Sequence, residues 1–304
     1  TEEKTILSNP ITDIIGTAVA NAYTGKLTHK CVSDGTSVYN GGMLANDLIK
    51  LDNSTTGTML GETKFSSGSD MRGETSGTVR VRWVTVHNSA ENFTFDVGED
   101  VEIFTHGGQA ITRVDGSVVN ATTGGFGDQI LHDTANSKYI VIAEAFVGSE
   151  NVVFARVTTT ESVNAAPTME FTAARELTLT VDGVAYNIKN GLKAINSDYD
   201  SVSQYNGDIA YDDGVFRWVL TNNYKGWIVL TSSDGQNWEF NRYIIPDKGA
   251  ANLFIEAAIG YNSNTDTMLI AGRTKTETGY MVLTAYHVSS GNQCTKLIPD
   301  CRIG

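Results

Sequence analysis

Three carboxylates recur at matching places in three similar stretches of the chain. Asp128 follows Gly127 and precedes Ile130-Leu131, Asp208 follows Gly207 and precedes Ile209-Ala210-Tyr211, and Glu256 follows Ile255 and precedes Ala257. Grouped acidic side chains suit cleavage of a glycosidic bond, in which one carboxyl lends a proton to the leaving oxygen while another stays ionised beside the sugar. Asp128, Asp208 and Glu256 are therefore the candidate catalytic set. The competing explanation is turn chemistry, since an acidic residue after glycine is an ordinary way to open a strand.

Other residue types offer less. The five histidines, His29, His87, His106, His132 and His287, lack the HxH and HExxH spacings that hold a metal, so no metal and no cofactor is expected. Gly107-Gly108 and Gly124-Gly125 lack the strand-to-helix setting of a phosphate loop and read as turns. Tyr199, Tyr205 and Tyr224 lie in polar, turn-rich stretches, where an aromatic ring can stack on a sugar. Tyr199 and Tyr205 share the loop 196–206, just upstream of Asp208, and are the preferred binding candidates.

The elements that must position these residues are strands. The 304-residue chain carries 30 glycines and only 4 prolines, is rich in Thr, Asn, Ser, Val and Ile, and has no stretch dense in good helix formers. Asp-Gly pairs at 34–35, 115–116, 182–183, 213–214 and 234–235 are strong hairpin signals, because both central residues of a type I′ turn need positive φ. The three carboxylate-bearing stretches can be laid over one another. Each runs from a short apolar strand through a turn to a longer one (139–143, 215–220, 267–271), then to a third (151–157, 226–231, 279–285). Weak repetition of this kind is what propeller blades show. The interval 171–200, with a hairpin over 177–188, reads as an insertion or a less regular blade.

The clearest single motif is Ser232-x-Asp234-Gly235-x-x-Trp238, which follows the apolar run Trp227 to Leu230. It resembles the Asp-box of sialidase-type β-propellers. That resemblance implies a structural turn between the two outer strands of a blade, closed by the carboxylate and packed on the aromatic ring. It covers seven residues strongly and a much longer region weakly. Sialidase activity is not implied: the Arg-Ile-Pro segment of that family is missing, and Arg113, Arg156, Arg217 and Arg273 show no triad spacing.

The expected fold is all-β, a single propeller over 23–304, with five blades preferred over six, behind a short N-terminal arm over 1–22. The first half supplies strand material for about two blades. If the ring closes with strands from both ends, a bridge from Cys31 to Cys294 or Cys301 would staple it; one bridge plus a thiol and three reduced thiols are equally open. A net charge of −13 with no basic cluster argues against nucleic acid. No apolar run reaches the ~20 residues of a membrane span, and the first residues lack the basic-then-apolar layout of a secretion signal, so the expectation is either that a signal has been removed or that the natural chain starts here after loss of an initiator Met.

Two functions fit. The first is a non-enzymatic recognition or assembly protein, surface- or virion-attached like a phage tail or fibre protein, extracellular or on the virion, whose partners are carbohydrate or other subunits of an assembly, with oligomerisation allowed. The alternative is a glycoside hydrolase that uses the acidic trio.

Overall fold

The computed structural model describes residues between His29 and Ile298, with longer breaks at 65–77, 158–169, 202–206 and 275–280 and shorter ones at several turns. Before residue 106 only the backbone course of the strands is described. The expected arm over 1–22 lies outside these residues, as does Cys301. Cys294 is exposed and free, so it is not the partner of a bridge to Cys31.

β1 (His29–Ser33), β2 (Val38–Gly42), β3 (Asp47–Leu51), β4 (Thr56–Lys64), β5 (Thr78–Ser89) and β6 (Asn92–Thr105) form one antiparallel series in chain order. The sequence predicts strand material for about two blades in the first half, whereas these six strands make one sheet. β7 (Ala110–Thr112), β8 (Val118–Asn120) and β9 (Thr123–Gly124) follow. Then comes the first repeated unit, β10 (Gln129–Asp133), β11 (Lys138–Val147), β12 (Glu150–Val157) and β13 (Ala174–Glu176). β14 (Thr178–Val181), β15 (Val184–Asn187) and the short helix α1 (Ile188–Ile195) separate it from the second unit. That unit is β16 (Ile209–Asp212), β17 (Val215–Asn222), β18 (Gly226–Ser232) and β19 (Asn237–Ile244). The third is β20 (Leu253–Asn262), β21 (Thr267–Thr274), β22 (Met281–His287) and β23 (Gln293–Ile298).

Within each unit the four strands pair antiparallel in chain order. The sequence overlay of the three stretches therefore marks real structural repeats, and a fourth strand completes each.

The second unit shows how the sheets stack. From β17 and β18, Phe216, Trp218, Leu220, Ile228 and Leu230 pack toward Ile140, Ile142 and Val153 of the first unit. The alternate residues Val219, Trp227 and Val229 pack toward Ile259, Met268, Ile270 and Val282 of the third. A strand covered on both faces has no polar side, which is why Trp227-Ile228-Val229-Leu230 is an unbroken apolar run. β10 touches β16, and β16 touches β20, so the first strand of each unit gathers on one side of the stack. Sheets packed face to face with their first strands together are blades around an axis, and the fold is an all-β propeller.

The chain passes between sheets by one device used twice. After β6 it forms the hairpin β7–β8, whose β7 lies parallel to β13 on the outer edge of the next sheet. After β13 it forms the hairpin β14–β15, whose β14 lies parallel to β19. Leu177 is the crossing point and is fully buried. Its N–H donates to Val153 O in the sheet being left (2.8 Å), and the next N–H, of Thr178, donates to Gln236 O beside the sheet being joined (3.1 Å). The stretch read as an insertion thus contributes the fourth strand of one blade, β13, and the edge hairpin β14–β15 of the next.

The turn between β14 and β15 is the two-residue Asp182-Gly183, with φ of 49° and 77° at the two positions, as an Asp-Gly hairpin requires. Asp115-Gly116 and Asp234-Gly235 lie in longer loops, where only the glycine has positive φ.

Candidate functional site

The second unit shows how one of the candidate acids is built in. Gly207 has no room for a side chain, since a Cβ there would lie 1.7 Å from Val219 O. Its carbonyl accepts the indole N–H of buried Trp218 at 2.9 Å. The next residue, Asp208, is tied on both sides by its backbone: its N–H donates to Ala257 O of β20 (2.9 Å), and its carbonyl accepts Val219 N–H of β17 (3.0 Å). Its carboxylate accepts Ile209 N–H at 2.9 Å and Ile259 N–H at 3.4 Å. Asp208 therefore links two blades at the head of a first strand, and its side chain is held in one orientation.

Glu256 lies in β20, one residue from the Ala257 carbonyl that receives the Asp208 N–H. The backbone thus brings two of the three predicted acids to adjoining positions on neighbouring first strands. Asp128 lies outside the described residues, just ahead of β10.

The far ends of the first strands are stitched in a similar way. Tyr211 OH of β16 donates to Asp133 at the end of β10 (3.4 Å), and Ser263 N–H, after β20, donates to Asp212 at the end of β16 (2.8 Å). Asp133 and Asp212 occupy matching places, each the last residue of its first strand. The overlay, built on the heads of these strands, did not single them out.

The tyrosine expectations fare differently. Tyr199 is only 8% exposed. It sits in a 3-10 turn (Ser197–Ser201) and packs against Tyr243 and Phe240, with ring centroids 5.2 and 6.1 Å away. That burial raises its hydroxyl pKa, and the ring belongs to the core rather than to an exposed rim, which corrects the sequence reading. Its partners lie some forty residues downstream, and no local pattern announces them. Tyr205 and Tyr224 lie outside the described residues.

The turn after β18 is a hydrogen-bonded knot. Asp234 Oδ1 accepts the N–H groups of Gln236 and Asn237, both at 2.8 Å, and the Ser232 hydroxyl at 3.0 Å. Asp234 Oδ2 accepts from the Asn237 side chain at 2.7 Å. Ser232 Oγ in turn accepts Gly235 N–H at 2.9 Å. Burial acts to raise the Asp234 pKa, but the bonds from Asn237, Gln236 and Ser232 outweigh it and hold the carboxyl below its ordinary value. Trp238, three residues past Gly235, is fully buried, 5.2 Å from Trp218 between ring centroids. Ser232, Asp234, Gly235 and Trp238 are all occupied with holding this corner of the blade.

Of Arg113, Arg156, Arg217 and Arg273, the side chains of the first three are described, and each is engaged with different partners. Arg113 forms a two-point ion pair with Glu150 (3.1 and 2.6 Å). Arg156 donates to Thr172 O and Phe171 O, and Arg217 lies over the Tyr261 ring at 3.6 Å. Among the described residues no group of three His, Cys, Asp or Glu side chains could hold a metal ion. No described helix is long and apolar enough to cross a membrane.

No family model matches the chain, and no curated protein matches it in sequence. Its backbone course resembles several solved structures. One is a GH43_1 enzyme from Xanthomonas citri complexed with xylotriose, at 9% identity, 92% of this chain, 88% of that one and a TM-score of 0.38. A second is the catalytic domain of a Coprinopsis cinerea GH62 alpha-L-arabinofuranosidase, at 12% identity, with 90% and 68% of the two chains covered and a TM-score of 0.41. A third is an N-acetylgalactosamine deacetylase from F. plautii in complex with blood group B trisaccharide, at 9% identity, 91% and 90% coverage and a TM-score of 0.38. These three are enzymes by their own descriptions, and none is a tail, fibre or attachment protein. The expectation of a non-enzymatic recognition or assembly protein is corrected on this finding, and its alternative is carried forward.

Proposed function

We propose that the chain is a carbohydrate-active enzyme of the propeller class, a glycoside hydrolase whose acidic groups are Asp208, Glu256 and Asp128. The observation that carries this reading is the 2.9 Å bond from Asp208 N–H to Ala257 O, which sets Asp208 beside the residue next to Glu256. Hydrolysis of a glycosidic bond uses two carboxyl groups roughly 5–10 Å apart, a separation within reach of neighbouring positions on adjacent strands. Asp208, anchored by two backbone N–H groups, is the positioned partner that stays fixed while the sugar is bound. Glu256 is the proton donor to the leaving oxygen, and Asp128, at the equivalent place ahead of β10, completes the set from the neighbouring blade.

The test is hydrolysis of a broad panel of chromogenic glycosides by the parent, Asp208→Asn and Glu256→Gln. Loss of general acid–base assistance should lower kcat by about 10²- to 10⁴-fold in Glu256→Gln. Asparagine keeps one acceptor oxygen, enough for the shorter bond from Ile209 N–H, and gives up the 3.4 Å bond from Ile259 N–H, so Asp208→Asn should still fold cooperatively with a modest fall in Tm while losing turnover. Absence of turnover by the parent across the panel, or full turnover in Glu256→Gln, would defeat the reading.

A further inference from the structure

The two edge hairpins leave a cleft between them. It has a volume of about 320 Å³ and lies between the β7–β8 turn and the β15–α1 corner. Arg113, Asp115, Glu176, Tyr186, Asn187 and Asn190 contribute to its walls. None of them belongs to a first strand, so the cleft is separate from the acidic set around Asp208.

Its chemistry is mixed and already balanced. Glu176, only 8% exposed, is the buried acid of the cleft: it accepts Val114 N–H at 3.2 Å and a hydrogen bond from the Asn187 side chain. Burial raises its pKa, against the opposing pull of Val114, Arg113 and Asn187. The Arg113 guanidinium is taken up by Glu150, and its buried Nε–H has no acceptor among the described residues. Asn187 caps α1 by accepting the backbone N–H of Asn190 at 2.9 Å, and Asn190 itself is exposed where it lines the cleft. Tyr186, half-buried on β15, supplies the aromatic face.

A strong anion would meet Asp115 and an arginine already paired, and a bare metal ion would lack a cluster of three ligands. A neutral molecule with many hydroxyl groups meets none of these objections. It can exchange hydrogen bonds with the Asn190 amide and donate to the Asp115 carboxylate, both exposed at the cleft, while one of its faces lies on a tyrosine ring.

We propose that this cleft is a second carbohydrate-binding site, which takes one neutral sugar residue at the outer edge of the blades. The proposal does not rest on hydrolysis at the first strands. The cleft is built from different residues and elements, and a protein without glycosidase activity could still carry it.

The probes are methyl β-D-xylopyranoside, methyl α-L-arabinofuranoside, methyl β-D-galactopyranoside and methyl α-D-glucopyranoside, each titrated into ¹⁵N-labelled full chain. At least one should shift the amide signals of Val114, Tyr186 and Asn190 in a saturable way. Tyr186→Ala should weaken that binding about tenfold, the worth of one aromatic contact, and Asn190→Ala, at an exposed position, should weaken it with an unchanged Tm. The same titration on Asp208→Asn should give the parental shifts, which separates this site from the proposed hydrolytic one. No shift at those three amides with any of the four probes, or shifts that both cleft variants leave intact, would overturn the proposal.

Discussion

At the scale of single residues, the best-determined acid is Asp234. Its carboxylate gathers two backbone N–H groups, a hydroxyl and an amide, and its pKa is depressed in consequence. A carboxyl whose folded pKa lies below its unfolded value contributes stability above the unfolded pKa, and that contribution is lost as pH falls through the folded one. Asp234→Ala should therefore cost about 2–3 kcal/mol near neutrality, and the gap from the parent should narrow in acid. Guanidinium titrations at neutral pH and below pH ~4 read both quantities, and a gap of constant size would contradict the assignment. The Asp234 turn was legible because it is local: the carboxylate and the groups that bond it all fall within residues 232–237. Tyr199 was not legible, because what decides its burial is Phe240 and Tyr243, on a strand that the sequence separates from it by three others.

At the scale of elements, glycine positions test the blade geometry. Gly207 backs directly onto the carbonyl of Val219, and Gly235 combines a φ of 72° with a would-be Cβ contact of 2.6 Å to Ile140 of the neighbouring sheet. The first opposes a rigid backbone atom and the second the tip of a flexible side chain, so their substitutions should differ. Gly207→Ala must push β16 away from β17 and should fail to reach a cooperative fold. Gly235→Ala should fold with a loss of about 1–3 kcal/mol from the unfavourable φ and local overpacking. Circular dichroism melts of the two variants side by side check the ordering. The three repeated units were visible in sequence because the turns joining their first three strands are short and punctuated by glycine, aspartate or asparagine. The additions β7 and β14 were not, because a parallel partner is reached only after a long crossover and leaves no mark at the point of pairing.

At the scale of the whole molecule, the second unit packs against other sheets of the stack on both of its faces. Its strands β17 and β18 cannot lose water protection on either side without parting two interfaces. Native-state hydrogen exchange should find the amides of Trp218–Leu220 and Ile228–Leu230 opening only with global unfolding. Those of the hairpin around Asp115 to Val118, which is exposed, should exchange by local opening. Uniform protection across the two regions would mean that the sheets do not stack as described.

The crossing at Leu177 also bears on how the polypeptide is made. As synthesis proceeds, β14 leaves the ribosome long before the strand it must lie alongside, because α1 and all of β16, β17 and β18 intervene before β19. Until then the nascent hairpin β14–β15 presents an open lateral edge with an unsatisfied row of amides and carbonyls. It is anchored meanwhile by β13, whose sheet has already been translated. The second blade is thus sealed from its outer rim by a segment that waits in place, so a pause in translation between α1 and β19 would prolong the interval in which a foreign strand could take that position.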